Sequence, residues 1–396
     1  RTKTAGTCSI LHEEDGTLIL DSKEILRKMK TYFNQIFSQK GNIEIENDST
    51  GEEILLMEPI ELEEFRKTIS FMAKKKASGI SGMSLEMIVH APKNIEMWIV
   101  ENLNHWISTK ELPNVMLKSQ IWLIPKSRES KDFRDTRPIN LIEVIRKIFT
   151  KILEGRLTQR IHHRCNERNF GFQFSTSTAE PITILRQIVG DSRAKKKSLS
   201  IILLDIMKAF DSVHFNSIKN ALNSLKIDKN FTKLLENIFR NRKAQVLTRE
   251  GRTEFFHPET GVEQGDPLSP KLWNIFYKPM LDKLEEMKGY NIQGINISYL
   301  AFADDIVLIA ESDETMEKLL ETVENYLKVN FIQIQPKKSI HVANYPSTIF
   351  HTQGNNGELL PIKKIEVDEN FTYLGAIFNL GQPKRQTSKV TDEVTR

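Results

Sequence analysis

Between Asp21 and Phe37 the apolar residues Ile25, Leu26, Met29, Tyr32, Phe33, Ile36 and Phe37 recur at helical spacing, and Ser22 stands where an N-cap is expected. This predicts an amphipathic helix. A polar stretch from Gly41 to Glu53 follows and predicts a linker near residue 45. Helical spacing then returns at Leu62, Phe65, Ile69 and Met72, at Leu141, Val144, Ile145, Ile148, Phe149, Ile152 and Leu153, from Ile182 to Ile188, and from Phe231 to Phe239. It returns once more at Met316, Leu319, Leu320, Val323, Tyr326 and Leu327. Two segments break this pattern. Leu199 to Leu204 is a short apolar run stopped by Asp205, which predicts a buried strand with a carboxylate at its C-terminal end. Ile297 to Ala303 and Ile306 to Ala310 are apolar runs separated only by Asp304 and Asp305, which predicts a hairpin with the acidic pair at its turn. A sheet with acids at strand ends, backed by helices, is an α+β arrangement.

With 396 residues the chain has room for two or three subdomains. Hydrophobic residues at 39%, charged residues at 27% and no apolar run of about eighteen residues argue against membrane spanning and wholesale disorder. Cys8 and Cys165 are too few for a four-ligand zinc site or a disulfide framework, and a reducing compartment is the default. The net charge is only +4, but residues 111–250 hold 27 Lys and Arg against 14 Asp and Glu, leaving −9 for the remainder. Such a cationic block suits a polyanion, although evenly spread surface lysines would give the same sum. The chain begins at Arg1 with neither a signal peptide nor a transit segment, which reads as part of something longer.

Carboxylates flanked by apolar strand residues are costly, and three of them together repel strongly enough to raise at least one pKa. A divalent cation removes that conflict. One or two carboxylates with water and substrate phosphate make up a magnesium site for phosphoryl or nucleotidyl transfer. Asp205 and the Asp304-Asp305 pair form one if their strands are neighbours; a solvated turn is the alternative, and a separation of 99 residues leaves both open.

Around the first carboxylate the chain reads Leu203-Leu204-Asp205-Ile206-Met207-Lys208-Ala209-Phe210-Asp211, and around the pair Tyr299-Leu300-Ala301-Phe302-Ala303-Asp304-Asp305-Ile306-Val307. Between them lies Gly261-Val262-Glu263-Gln264-Gly265-Asp266-Pro267-Leu268-Ser269-Pro270. In that order the three blocks resemble the palm motifs of reverse transcriptases of non-LTR (LINE-type) retrotransposons, those of RTE-type elements most of all. Ile124-Pro125-Lys126 with Arg137-Pro138-Ile139 resembles the fingers motifs, Gly171-Phe172-Gln173 the block before the first palm strand, and Phe371-Thr372-Tyr373-Leu374-Gly375 the primer-grip turn. The likeness runs from about Lys74 to Phe378.

The resemblance implies a right-hand polymerase fold, fingers and palm with the thumb largely missing. Residues 1–45 would be a lead-in helix region, 46–198 the fingers and upstream helices, 199–345 the palm with the metal site, and 346–396 the primer-grip hairpin and a truncated start of the thumb. It implies an RNA-directed DNA polymerase, a nucleotidyltransferase that extends a DNA primer on an RNA template with deoxynucleoside triphosphates. Asp205, Asp304 and Asp305 would hold two Mg²⁺ ions, or Mn²⁺, with the Ile206 carbonyl as a further ligand. Phe210 would lie under the incoming sugar and exclude a 2′-hydroxyl, while Lys126 and Arg137 would neutralise triphosphate oxygens. Gln264 and Gly265 would let the backbone approach the templating pair, and Lys338 would protonate pyrophosphate. Lys74-Lys75-Lys76 and Lys195-Lys196-Lys197 would track nucleic-acid phosphates. Each of these has a plainer reading as core aromatic, turn or solvated cation. Such an enzyme works inside the cell, in nucleus or cytoplasm, and involves no membrane.

Several positions depart from the family pattern. Ile80-Ser81 stand where Pro-Asp is usual, Asp135-Thr136 precede Arg137 in place of an aromatic, and Phe174-Ser175-Thr176-Ser177 lack the usual basic residue. Glu263 replaces a basic residue and Gln335 an Asn. These changes are expected among nucleic-acid and nucleotide contacts, which lowers the expected affinity and spares the chemistry. One rival reading is a decayed or domesticated copy that binds nucleic acid without catalysis, and metal-independent binding would mark it. Another is a group II intron or telomerase-like polymerase, which shares the palm.

Overall fold

The computed structural model describes residues 11–12, 18–19, 21–38, 41–45, 52–127, 132–248, 251–354 and 357–381. The linker expected near residue 45 adjoins residues 46–51, which lie outside this set, as do residues 382–396 at the expected start of the thumb. The chain divides into two compact units, each assembled from three separated segments: residues 1–167, 207–282 and 326–332 in the first, and 168–206, 283–325 and 333–396 in the second. The division by consecutive segments expected from the sequence cuts across both.

In the first unit, the opening helix spans Ser22–Ile36. Its N-cap is Asp21, not Ser22: the Asp21 carboxylate accepts the Glu24 N–H at 2.7 Å. An acid one residue earlier satisfies an orphan donor and also complements the positive end of the helix. Ile25, Met29, Phe33 and Phe37 pack on Ile121, Leu123, Phe133, Ala244, Val246 and Phe256, so the helix is part of this unit's core. Beneath it lies a three-stranded sheet with Lys118–Pro125 in the centre, antiparallel to Thr136–Ile142 and parallel to Lys243–Leu247.

That sheet was not expected. The helical spacing takes in Leu141, yet that residue belongs to the Thr136–Ile142 strand, and the helix is Val144–Ile161. The buried face of the strand carries Thr136, Pro138, Asn140 and Ile142, so mostly non-aliphatic residues point inward and the period-two signal is hidden. Asn140 is stabilised there by the Ser119 hydroxyl, which donates to its Oδ1 at 3.1 Å. The expected helices over Leu62–Phe71 and Lys229–Asn241 form as their spacing indicates.

The second unit is built on a five-stranded sheet, in the order Lys363–Lys364, Ile340–Ala343, Ser200–Leu204, Asp305–Ala310, Tyr299–Phe302. Ser200–Leu204 is antiparallel to both of its neighbours. One face presents Ile201, Leu203, Val307, Ile309 and Val342 to Leu185, Ile188 and Val189 of the helix Ala179–Lys195, and to Phe371, Tyr373 and Phe378 of a small hairpin. The hairpin predicted around the acidic pair forms with a shifted turn. Asp305 already pairs with Phe302, so the two-residue loop is Ala303-Asp304. Ala303 takes a φ of 56°, the positive value that a primed hairpin turn requires at its first loop position. Ile297 belongs to the preceding strand, Ile295–Ile297. Among the described residues no helix is long and apolar enough to cross a membrane.

Candidate active site

Register brings the carboxylates of the second unit together. Ile306 faces Leu204 across the two central strands, so the next position outward sets Asp305 against Asp205, with Asp304 in the adjoining turn. By strand alternation Asp205 and Asp305 fall on the face of Ile201, Leu203 and Val307, the face covered by the Phe371–Tyr373 strand. Asp305 stays open to solvent at the sheet end but is crowded. Partial burial, then Asp304, then Asp205 push its carboxyl up to about 6.

Asp205 is held through its backbone. Its N–H donates to Ser339 Oγ at 3.1 Å, its carbonyl accepts the Gln335 N–H at 2.7 Å, and Ser339 Oγ donates to the Gln335 carbonyl at 3.0 Å. Ser339 is fully buried, and Lys338 next to it is exposed on the same turn. Ile206 pairs with Ile334 in an antiparallel bridge whose bonds are carried by the flanking residues, which leaves the Ile206 carbonyl outside that exchange. Tyr373 is 2% exposed and its hydroxyl has no hydrogen-bond partner; burial and Asp305 both raise its pKa.

These residues suit a divalent cation. Three carboxyl groups that repel one another, one of them raised toward neutrality, are hard oxygen donors whose repulsion a cation would relieve, and the buried Tyr373 hydroxyl on the same face has no protein partner. Among the described residues no three His, Cys, Asp or Glu side chains are grouped so as to hold a metal ion together. Mg²⁺ keeps several waters and takes one or two carboxylates with substrate phosphate, so a carboxylate pair suffices.

The remaining candidate residues belong to the first unit. Lys126 and Arg137 are exposed near the open end of one strand pair, where Ile124 faces Arg137 and the Lys126 N–H donates to the Asp135 carbonyl at 3.1 Å. Phe210 stacks on Trp273, with ring centroids 4.6 Å apart and planes at 21°. Gln264 Nε2 donates to Asp211 Oδ1 at 3.0 Å, and the Gln264 carbonyl accepts the Asn140 N–H at 2.6 Å. Gly265 has a φ of 124°, and a Cβ there would lie 2.4 Å from the Asn140 carbonyl oxygen. The close approach that glycine permits here is to the neighbouring strand.

Two of the departures are internal contacts and not the nucleic-acid contacts expected. Glu263 is 7% exposed and pairs with Arg146, itself 1% exposed, which also donates to Asp266 at 3.1 Å. Burial opposes ionisation of all three. Arg146 and Arg242 nevertheless hold Glu263 below its usual value, whereas burial keeps Asp266 raised. Ser81 donates both its N–H and its hydroxyl to Glu143. Arg146, Asp211, Ser339 and Tyr373 had no role assigned from the sequence. Asp211 and Tyr373 lay within blocks of the resemblance and Ser339 beside Lys338, whereas nothing pointed to Arg146, because a buried ion pair between distant residues leaves no local pattern.

A family model described as "Reverse transcriptase (RNA-dependent DNA polymerase)" matches residues 124–378. Among curated proteins, the Pol polyprotein of a type-1 retrotransposable element R2 from Nasonia vitripennis is 29% identical over 87% of this chain and 34% of its own length. That of the type-2 element R2DM from Drosophila melanogaster is 26% identical over 95% of this chain and 36% of its own length. The RNA-directed DNA polymerase from mobile element jockey of Drosophila funebris is 23% identical over 81% of this chain and 35% of its own length. The chain thus spans about a third of the length of these relatives. They are R2 and jockey proteins, and the expected RTE-type subtype is not confirmed. A solved structure of apo telomerase from Candida tropicalis overlaps 72% of this chain and 58% of its own, with a TM-score of 0.46 and 16% identity, too slight a likeness to build on. The extent of the family match decides the assignment: the chain belongs to the reverse transcriptase (RNA-dependent DNA polymerase) family, of the kind found in non-LTR retrotransposons.

Proposed function

We propose that this chain performs the nucleotidyl transfer of an RNA-directed DNA polymerase, extending a DNA primer on an RNA template. The observation that carries this reading is the convergence of Asp205, Asp304 and Asp305 at one sheet end, with Asp305 raised by its two neighbours. Divalent metal dependence is general in the family; here Asp205, Asp304 and Asp305 would hold two Mg²⁺ ions, or Mn²⁺, with the Ile206 carbonyl as a further ligand. Such ions supply a lowered pKa for the primer 3′-hydroxyl and charge stabilisation at the transferred phosphoryl.

The other residues have roles that follow from their chemistry. Lys126 and Arg137 bind triphosphate oxygens, Arg137 through its planar fork and Lys126 as a point charge. Phe210, steadied by Trp273, excludes a 2′-hydroxyl from the sugar site. Gln264 and Gly265 present a backbone without side-chain obstruction to the templating pair, and Lys338 donates a proton to the departing pyrophosphate. A copy that binds nucleic acid without catalysis is not favoured, because the carboxylates and the family's length of match are both intact. Primer extension on poly(rA)/oligo(dT) with Mg²⁺ tests the proposal. Incorporation that disappears in Asp304→Asn is the expected result; no incorporation, with RNA binding retained without metal, overturns it.

A further inference from the structure

Beside the carboxylate turn of the second unit, the segment Arg168 to Gly171 runs along the sheet edge. The Ala301 N–H donates to the Arg168 carbonyl at 2.9 Å, and the Phe170 N–H to the Ala301 carbonyl at 2.8 Å. Gly171 then rests on the turn itself. A Cβ on it would lie 2.1 Å from the Ala303 backbone nitrogen, next to Asp304. The loop that continues from Gly171 is held in an uncommon shape: Phe172 and Ser175 take φ values of 56° and 58°, a left-handed conformation that a bulky aromatic adopts only at a cost. Thr176 Oγ1 donates to the Phe170 carbonyl at 2.6 Å, and Glu180 accepts both the N–H and the hydroxyl of Ser177 at 2.8 Å.

What this braced loop presents is aromatic. Phe174 is 89% exposed and Phe172 43% exposed, beside a site otherwise made of carboxylates. Phe174 also falls in the block where the family pattern has a basic residue, so a π-face is offered in place of charge. Every nucleobase has a complementary face, and stacking on an aromatic side chain is tolerant of sequence. A base inside a duplex is already covered above and below, whereas an unpaired one is free to stack.

We propose that Phe174, with Phe172 on the same loop, is a stacking platform for an unpaired base of the RNA template beside the carboxylate turn. The proposal rests on the polymerase reading above. It is tested with the full chain in Ca²⁺, on a primer–template carrying 2-aminopurine at the first unpaired template position. Wild-type protein quenches the fluorescence, Phe174→Tyr keeps the quenching, and Phe174→Ala and Phe174→Leu lose it and bind the template about tenfold more weakly. An unchanged melting temperature in Phe174→Ala is expected, because the side chain is almost wholly exposed. Wild-type quenching and affinity in Phe174→Ala, or full quenching in Phe174→Leu, overturn the platform. Primer extension on the same preparations separates the two readings. A wild type that extends primers while Phe174→Ala binds normally removes the platform alone, and a wild type that quenches but never extends removes the polymerase reading alone.

Discussion

Asp305 is costly where it stands. Crowded by protein and facing Asp304 and Asp205, its carboxylate is disfavoured in the metal-free protein. Asp305→Asn is therefore expected to stabilise the metal-free chain, by about 1 kcal/mol once solvent screening of an accessible group is allowed for, and to abolish primer extension. Thermal melting without divalent metal, alongside an incorporation assay, checks both halves; a variant that melts earlier than the parent contradicts the account of repulsion. This site was readable from the chain because each acid terminates an apolar run: Leu203-Leu204-Asp205 and Phe302-Ala303-Asp304-Asp305 announce strand ends whatever the strands pair with. Tyr373 was readable only as part of a block. Its orphaned hydroxyl depends on a hairpin folding over the sheet, and no residue near it in sequence indicates that.

The loop 261–266 shows how elements hold functional residues. Gln264 is pinned to Asn140 on one strand and Asp211 on a short helix, and Gly265 rests close on the Asn140 carbonyl, while Glu263 and Asp266 on either side anchor in the interior on Arg146. Arg146→Met takes from buried Glu263 its ion-pair partner, leaving only Arg242 and Ser119 to oppose its burial, and should cost about 3 kcal/mol. Adding Glu263→Gln should recover much of that, because Asp266 is already raised toward its neutral form. Denaturant titration of the two variants decides it, and a double variant no more stable than Arg146→Met refutes the pairing argument. In the second unit, His341 lies fully buried on the Ile340–Ala343 strand, with Nε2 at 2.9 Å from Ser200 Oγ and Nδ1 without a partner. Burial first, then Lys364 on the adjacent strand, lower its pKa to about 4, with Asp313 opposing. The unfolded chain takes up this proton near 6.5, so between those values the unfolded state binds more protons and stability falls as the pH drops, by up to about 3 kcal/mol. His341→Gln should flatten that part of the pH–stability curve; an unchanged slope would exclude His341 as its source.

Taken over the molecule, a chain of net charge +4 concentrates its cations in residues 111–250. If that block meets nucleic-acid phosphate, affinity for a primer–template should fall about 10- to 100-fold between 50 and 200 mM salt, the dependence of a few phosphate contacts. A salt-independent affinity would mean that the cations are solvated surface charge. The α+β class, the helices with regular apolar spacing, the strand ends bearing acids and the polymerase family were all determined by the sequence alone, because each depends on local periodicity or on contiguous motifs. Tertiary structure decided the rest. The Lys118–Pro125 sheet is hidden in the sequence because Thr136 and Asn140 occupy its buried face, where Ser119 satisfies Asn140 across the pairing. The internal role of Glu263 was hidden because its partner Arg146 lies 117 residues away. The meeting of Asp205 with Asp305 required the register of two strands, since these residues are 100 positions apart. Which residues lie close in the chain can be read from order; which of them balance each other's charge and polarity is settled only when distant segments pack.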